Sequence, residues 1–308
     1  MTLTELRYIV ALARERHFAR AAAACFVSQP TLSVAVKRLE DELGLPLFER
    51  ATGEVNMTPI GEQIIAQAQR VLEQAALIPE LARSGKDPLA GPLRVAAIHT
   101  IAPYLLPLLV RALVHRAPRM PLVLEEGYTH ELLERLRRGD IDAAVVALPI
   151  PESGFVQREL YEEPFHVAMP AGHEWAQQKR IDASLLREET MLLLGAGHCL
   201  RDQVLEVCPE AARLTGGGDG SRRTFEGTSL ETLRQMVASG LGITVIPASA
   251  LPARPRRDDL IVYRPFAAPV PTRRVVVACR RSFARMPAID ALAQAVRETA
   301  LPGARMLG

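Results

Sequence analysis

Two cysteines in the stretch from Gly195 to Cys208, GAGHCLRDQVLEVC, stand where thiol chemistry is available to them. An apolar run at residues 191–194 predicts a buried strand that breaks at the glycines. Leu200, Val204, Leu205 and Val207 are then spaced along one side of a helix. Cys199 falls on the first turn of that helix, where unpaired N–H groups and the helix dipole favour a thiolate. His198 and Arg201 stand beside it and could add positive charge. Cys208 lies nine positions on, next to Pro209, which ends the pattern. Nine residues of helix span about 13.5 Å, whereas a disulfide needs Cα atoms roughly 5.5–6 Å apart. The thiols can meet only if the helix unwinds, so oxidation would be a conformational event. Two unrelated cysteines, one half-buried and one at a helix end, fit the same residues.

The elements that position these thiols belong to a chain of 308 residues, long enough for two or three domains. Its hydrophobic content of 48% and charged content of 23% are those of a globular protein with real cores. Four cysteines, Cys25, Cys199, Cys208 and Cys279, are too few for a secreted disulfide scaffold. The first residues carry no basic-then-apolar signal and no apolar run reaches membrane length, so a cytoplasmic protein with no membrane partner is expected. In that reducing compartment a thiol pair is redox-active more often than structural. The net charge of +2 does not by itself announce nucleic acid, because the first 60 residues hold seven Lys/Arg and seven Asp/Glu. Any case for DNA must come from motif and charge placement.

The motif is there. Leu6, Val10 and Ala13 mark one helical stripe, Phe18, Ala21, Ala22 and Cys25 a second, and Leu32, Val36, Leu39 and Leu43 a third that Gly44 ends. Only Phe26, Val27 and Ser28 separate the second from the third, with Ser28 placed as cap and Pro30 in the first turn. That is a helix-turn-helix, and residues 47–58, with Gly53 at their middle, predict a wing. In such a unit the third helix enters the major groove amino end first. Gln29, Pro30, Thr31 and Ser33 would face bases, while Arg20, Lys37, Arg38 and Arg50 would meet phosphates, which fix register without reading sequence. Cys25 reads as core.

The run HFARAAAACFVSQPTLSVAVKRLEDELGLPLFER closely resembles the DNA-binding module of LysR-type transcriptional regulators. The resemblance implies double-stranded promoter DNA as a partner, met through its base edges and phosphates, and RNA polymerase as a second partner. Beyond it, Ile60, Ile64, Ala68, Val71, Ala75 and Ile78 recur every three or four residues, a long helix with a seam suited to pairing with its twin. LysR-type proteins dimerise through such a helix, and the family expectation is a homodimer that assembles into a homotetramer. Pro79 should end or kink the helix, and residues 84–92, SGKDPLAGP, have linker composition.

From Leu93 strand and helix alternate. Strands are expected at 93–98, 122–126, 141–147, 165–169, 191–194, 243–246, 260–266 and 273–278, with helices near 104–115, 130–138, 230–238 and 288–297. The fold class that follows is α/β: an N-terminal winged helix-turn-helix (1–58), a linker helix and hinge (59–90), and an effector domain (91–308). The effector domain resembles the two-lobed periplasmic-binding-protein-like domain of LysR-type regulators, with lobe I at 91–164 and 268–308 and lobe II at 165–267. The glycine-rich residues 215–221 read as a loop; no strand–loop–helix context makes them a phosphate cradle.

Ligands in open α/β sheets bind beyond the carboxyl ends of strands. Thr100 and Thr129 follow the first two strands directly, as hydrogen-bonding hydroxyls for a small polar molecule or as helix caps. The motif GHCLRDQ followed by Cys208, taken with these threonines and the late arginine pair, resembles the hydrogen-peroxide-sensing members of the LysR family. That resemblance implies hydrogen peroxide as effector, Cys199 as the peroxidatic thiol that first becomes a sulfenic acid, and Cys208 as the resolving thiol. It further implies that Thr100, Thr129 and His198 position peroxide, that Asp202 and Gln203 support the pocket, and that Arg273 rather than Arg274 activates Cys199. Cys279 reads as core, and no metal or organic cofactor is assigned. Other readings of the chain are a LysR-type regulator of a small metabolite held between the lobes, a thiol peroxidase and a structural interaction module. The DNA-binding head argues against the last two.

Overall fold

A computed structural model describes residues 1–50, 55–84, 87–150, 154–209, 225–252 and 260–308. The chain divides into two compact units, Met1–Arg83 and Ser84–Gly308.

In the first unit, helix α1 (Leu3–Glu15) opens with a reciprocal cap: Glu5 N–H donates to the Thr2 hydroxyl and Thr2 N–H to the Glu5 carboxylate. Helices α2 (Phe18–Ala24) and α3 (Gln29–Leu43) follow, joined by a turn in which Phe26 takes φ +57°. Ser28 caps α3 by accepting the Thr31 N–H at 3.3 Å, Pro30 sits in the first turn, and Gly44 ends the helix at φ +72°. Strands β1 (Phe48–Arg50) and β2 (Val55–Met57) pair antiparallel; the expected wing tip, with Gly53, lies outside the described residues. Leu6, Ile9, Leu12, Ala21, Leu32, Val36 and Leu39 close the core.

Helix α4 (Pro59–Ser84) adds Ile65 and Ala68 to that core. Its start passes so close to the wing that a Cβ on Gly61 would lie 2.1 Å from the Leu47 carbonyl oxygen. The expectation that Pro79 ends the helix is overturned, since α4 continues through it to Ser84. Proline removes one N–H and crowds one carbonyl a turn back, which a helix absorbs when the ring stands in solvent, as Pro79 does.

The second unit is built on one long mixed sheet. Strand β3 (Leu93–Ile98) lies parallel to β4 (Leu122–Gly127) and β5 (Ala143–Ala147), with helices α5 (Ala102–Arg116) and α6 (Thr129–Arg138) as crossovers. Strand β6 (Phe155–Pro170) begins well before the expected residue 165, because its first half alternates charged and apolar residues too unevenly to read as a strand. That half pairs antiparallel with β11 (Thr272–Arg280); the second half pairs with β9 (Thr244–Pro247) and β10 (Ile261–Pro265). One apolar core gathers β3, β5, β11, Leu160 and Tyr161 with the closing helix Met286–Arg297. A second gathers Phe165 through Phe266. The chain passes from one core to the other between Tyr161 and Phe165.

The linker-like residues 87–92 are pinned to this unit. Arg285, nearly buried, donates to the carbonyls of Pro88, Gly91 and Pro92 at 3.2, 3.2 and 2.9 Å, and Arg119 pairs with Asp87. Proline-glycine composition signals irregular backbone, and three guanidinium bonds hold this segment in one shape. The glycine-rich loop at 215–221 lies outside the described residues.

Candidate functional site

Strand β7 (Leu192–Leu194) leads through Gly195, Ala196 and Gly197 into helix α7 (Cys199–Val207). Gly197 takes φ +96°, and a Cβ there would press on the Tyr128 ring at 3.3 Å, so glycine lets the chain turn over that ring. His198 precedes the helix without a side-chain cap, which leaves the first-turn N–H groups around Cys199 unclaimed by it. Cys199 is half-buried and packs against the first core, whereas Leu200, Val204 and Cys208 pack into the second. Neither cysteine is in a disulfide. Helix α7 therefore lies along the boundary between the lobes, one thiol at each end.

Arg273 is a fully buried guanidinium on β11. Its Nε donates to Glu163 at 2.9 Å, and its two terminal nitrogens donate to the Thr100 hydroxyl and carbonyl at 2.9 and 3.1 Å. Burial would lower the guanidinium, but the neighbouring Glu163, Tyr161 and Cys199 outweigh it and hold Arg273 above its ordinary value. Arg273 thus stays charged within electrostatic reach of the Cys199 sulfur. Arg274, next along the strand, points to the other face and pairs with Glu159 and Glu162 near solvent.

Neither threonine caps a helix: Ile101 precedes α5 and Tyr128 precedes α6. Thr100 serves Arg273, and the Thr129 hydroxyl is buried with no partner. One His198 ring N–H donates to the Thr228 backbone carbonyl, while Nε2 is buried and unpartnered. The rings of His99, Tyr128 and His198 meet edge to face, with centroids 4.8–5.7 Å apart. Gln203, one turn along α7 from Cys199, donates to the Leu148 carbonyl at 3.0 Å and leaves its own oxygen buried without a partner. Asp202 instead faces solvent.

Two expectations about charge need correction. Burial, and then the charge of His99, lower the His198 pKa, so near neutral pH it carries no positive charge to offer Cys199. Arg201 turns back to the Leu194 carbonyl and pairs with Glu226 at 2.7 Å. Arg273, the buried cation that a charge on Cys199 holds up, comes instead from a strand distant in sequence.

Three of the six buried polar side-chain atoms left unpartnered among the described residues are Thr129 Oγ1, His198 Nε2 and Gln203 Oε1. Each such atom costs about 1–3 kcal/mol if nothing satisfies it. A small molecule with both donors and acceptors could do so. His99, Tyr128 and Glu163 were not singled out from sequence. His99 and Tyr128 flank Thr100 and Thr129 at the strand ends, which was a usable signal; Glu163 offered only one of several acids in a strand of mixed charged and apolar residues. Gln203 and Arg273 also line a cleft of about 720 Å³ with Leu148, Pro149, Phe165 and Val270.

On α3, Gln29, Pro30, Thr31 and Lys37 are exposed and Ser33 is half-buried. Arg38 is exposed and 3.7 Å from Glu5, and Arg20 donates to the Glu15 carbonyl at 2.7 Å. Both guanidiniums are exposed, and solvent-screened contacts of this kind are weak enough to yield to phosphate. The side chain of Arg50 lies outside the described residues. The sequence reading missed Val34, which is 69% exposed between Pro30 and Lys37.

A winged helix-turn-helix followed by a two-lobed α/β domain, with a poised thiol at the lobe boundary, is the build of a ligand- or signal-responsive DNA-binding regulator. Residues 3–62 match the bacterial regulatory helix-turn-helix proteins of the lysR family, and residues 86–301 match the LysR substrate binding domain. The chain belongs to the LysR family, and within it to the branch formed by the OxyR proteins. It is 40% identical to the DNA-binding transcriptional dual regulator OxyR of Escherichia coli K12 over 96% of this chain and 95% of that protein. A structure of full-length Pseudomonas aeruginosa OxyR with cysteine replaced by aspartate is 51% identical, covers 100% of this chain and 99% of that one, and superposes with a TM-score of 0.77. A hydrogen-peroxide-bound cysteine mutant of Corynebacterium glutamicum OxyR is 33% identical, covers 96% and 91%, and gives 0.63.

Proposed function

We propose that the chain is a DNA-binding transcriptional regulator that senses hydrogen peroxide through Cys199 and controls genes of oxidative-stress defence. The observation that carries this reading is the placement of Cys199 on the first turn of α7, beside the buried charge of Arg273 and at the opposite end from Cys208. The Cys199 thiolate attacks one peroxide oxygen, the O–O bond breaks, and the other oxygen leaves as hydroxide, which takes up the proton the thiol gave to solvent and departs as water. Cys199 is then a sulfenic acid. Cys208 attacks that sulfur, releasing water and closing the disulfide. Helix α7 must unwind for the second step, and the Leu200 and Val204 anchors must leave the lobe II core.

The pocket residues divide the work. With one His198 nitrogen donating to the Thr228 carbonyl, Nε2 presents a lone pair that accepts a peroxide hydrogen. The Thr129 hydroxyl can donate to or accept from the same molecule, and Thr100 holds Arg273. Gln203 ties helix α7 to Leu148 in lobe I. The remaining thiols are silent: burial pushes Cys279 up to about 11 and raises Cys25 against the pull of Arg14 and Arg7.

At the other end, Gln29, Pro30, Thr31 and Ser33 read bases of double-stranded promoter DNA while Arg20, Lys37, Arg38 and Arg50 hold phosphates, with Ser28 fixing the helix end. Val34 adds an apolar contact suited to a thymine methyl. Ile60, Val71 and Ile78, exposed on α4, supply the homodimer seam, two dimers form the tetramer, and RNA polymerase is recruited beside it in the cytoplasm. No described helix is long and apolar enough to cross a membrane. Sub-stoichiometric peroxide should convert Cys199 before the other three cysteines, followed by peptide mass spectrometry. Preferential oxidation of any other cysteine would overturn the assignment. The 720 Å³ cleft favours, as a second reading, a small metabolite as effector, for which Cys199→Ser would leave signalling intact.

A further inference from the structure

We propose that Glu163 is a positioning residue for the oxidation of Cys199, acting only through the Arg273 guanidinium. This rests on the reading of Cys199 as the sensing thiol. Glu163 is fully buried and lies directly across the β6–β11 ladder from Arg273. One carboxylate oxygen accepts Arg273 Nε at 2.9 Å, and the other accepts the Ser249 N–H at 2.7 Å. With Thr100 accepting from both terminal nitrogens, each of the three guanidinium nitrogens is held by one of these two residues. Thr100 belongs to lobe I and Ser249 to a short turn in lobe II, Ala248–Ala250. Glu163, on the crossing strand between them, sets where the cation sits relative to the thiol and ties that place to the closure of the lobes.

The energetics make the carboxylate necessary. A buried cation without its counter-ion is among the costlier defects a core can hold, so an unpaired Arg273 would swing toward solvent. Two hydroxyls beside the pair, Tyr161 and Ser249, are buried with no partner and cannot replace a charge. The sign separates positioning from plain electrostatics. Glu163 is negative, so its direct field opposes a thiolate at Cys199; removing it at fixed geometry would make the thiolate easier to form. Only loss of the guanidinium's place can make it harder.

The test is the pH dependence of Cys199 alkylation and the rate of its oxidation by hydrogen peroxide. Both are read by peptide mass spectrometry on the reduced full-length chain, for wild type, Glu163→Gln, Arg273→Gln and the double variant. Glutamine keeps an acceptor for Arg273 but sets an N–H₂ against the Ser249 N–H. We expect the alkylation midpoint of Glu163→Gln to rise by about one pH unit, with oxidation about tenfold slower below it. Arg273→Gln should behave alike, and the double variant should be no slower than Arg273→Gln alone. An unmoved or lowered midpoint in Glu163→Gln, with Arg273→Gln shifted, would overturn the role of Glu163 and leave that of Arg273. An unmoved midpoint in Arg273→Gln would remove both. Should Glu163→Gln fail to fold, the double variant holds no unpaired buried charge, and a rate slower than that of Arg273→Gln still overturns the proposal.

Discussion

Cys199 packs against the core of lobe I, and Cys208, at the other end of the same nine-residue helix, is buried in the core of lobe II. A bond between their sulfurs therefore removes a helix and pulls residues out of two cores at once. That relation turns a local oxidation into a change of lobe packing, because packed cores switch between arrangements and do not deform continuously.

If unwinding α7 is the step between sulfenic acid and disulfide, its anchors set the rate of closure. Leu200→Ala should destabilise the reduced effector domain by about 2–5 kcal/mol. It should also shorten the life of the sulfenic acid, measured by dimedone trapping in a quench-flow series. Cys208→Ser should have the reverse kinetic effect, with the sulfenic acid persisting or advancing to sulfinic acid and no bridge forming.

His198 should leave a mark on stability as pH falls. Burial, then the charge of His99, hold its folded pKa below the ordinary 6.5. The unfolded chain then binds a proton before the folded one does. Its contribution is fully present above about 6.5 and is lost as pH drops toward the folded value. The decline in Tm between about pH 7 and 5.5 should accordingly be shallower in His198→Gln. His166, also lowered by burial, keeps part of the slope in both proteins.

The recognition helix gives a prediction that separates reading from holding. Val34→Ser should weaken binding at sites with a thymine opposite it, by about 1 kcal/mol, and leave non-specific binding unchanged. Lys37→Ala should weaken binding to all sequences alike and reduce the salt slope by about one. Fluorescence anisotropy across a salt series distinguishes the two.

The exposed seam of α4 should decide assembly. Val71→Asp, at a position 37% exposed, introduces a charge that a helix pair must desolvate. It should yield monomers by light scattering at concentrations where wild type is dimeric, while the winged helix-turn-helix keeps its circular dichroism.

Much of this was legible in the chain. The cap at Ser28, the stop at Gly44 and the strand at 93–98 follow from local chemistry, which neighbouring residues carry in full. Thr100 and Thr129 were marked by their place after strands, and α7 by its apolar spacing. What could not be read depends on distant partners. Arg201 looked like a cation for the thiol until Glu226 and the Leu194 carbonyl took it. Glu163 acquires meaning only opposite Arg273, some hundred residues away, and Pro79 misled because a helix tolerates a solvent-facing ring.

The most direct measurement is a hydrogen peroxide titration of the reduced protein bound to promoter DNA. The Cys199–Cys208 peptide is followed by mass spectrometry and the DNA footprint is read on the same samples, with Cys199→Ser alongside. A stoichiometric bridge accompanied by a changed footprint, both absent from Cys199→Ser, is the predicted result. A footprint that shifts in Cys199→Ser as in wild type, or a complete bridge with no change on DNA, would contradict it.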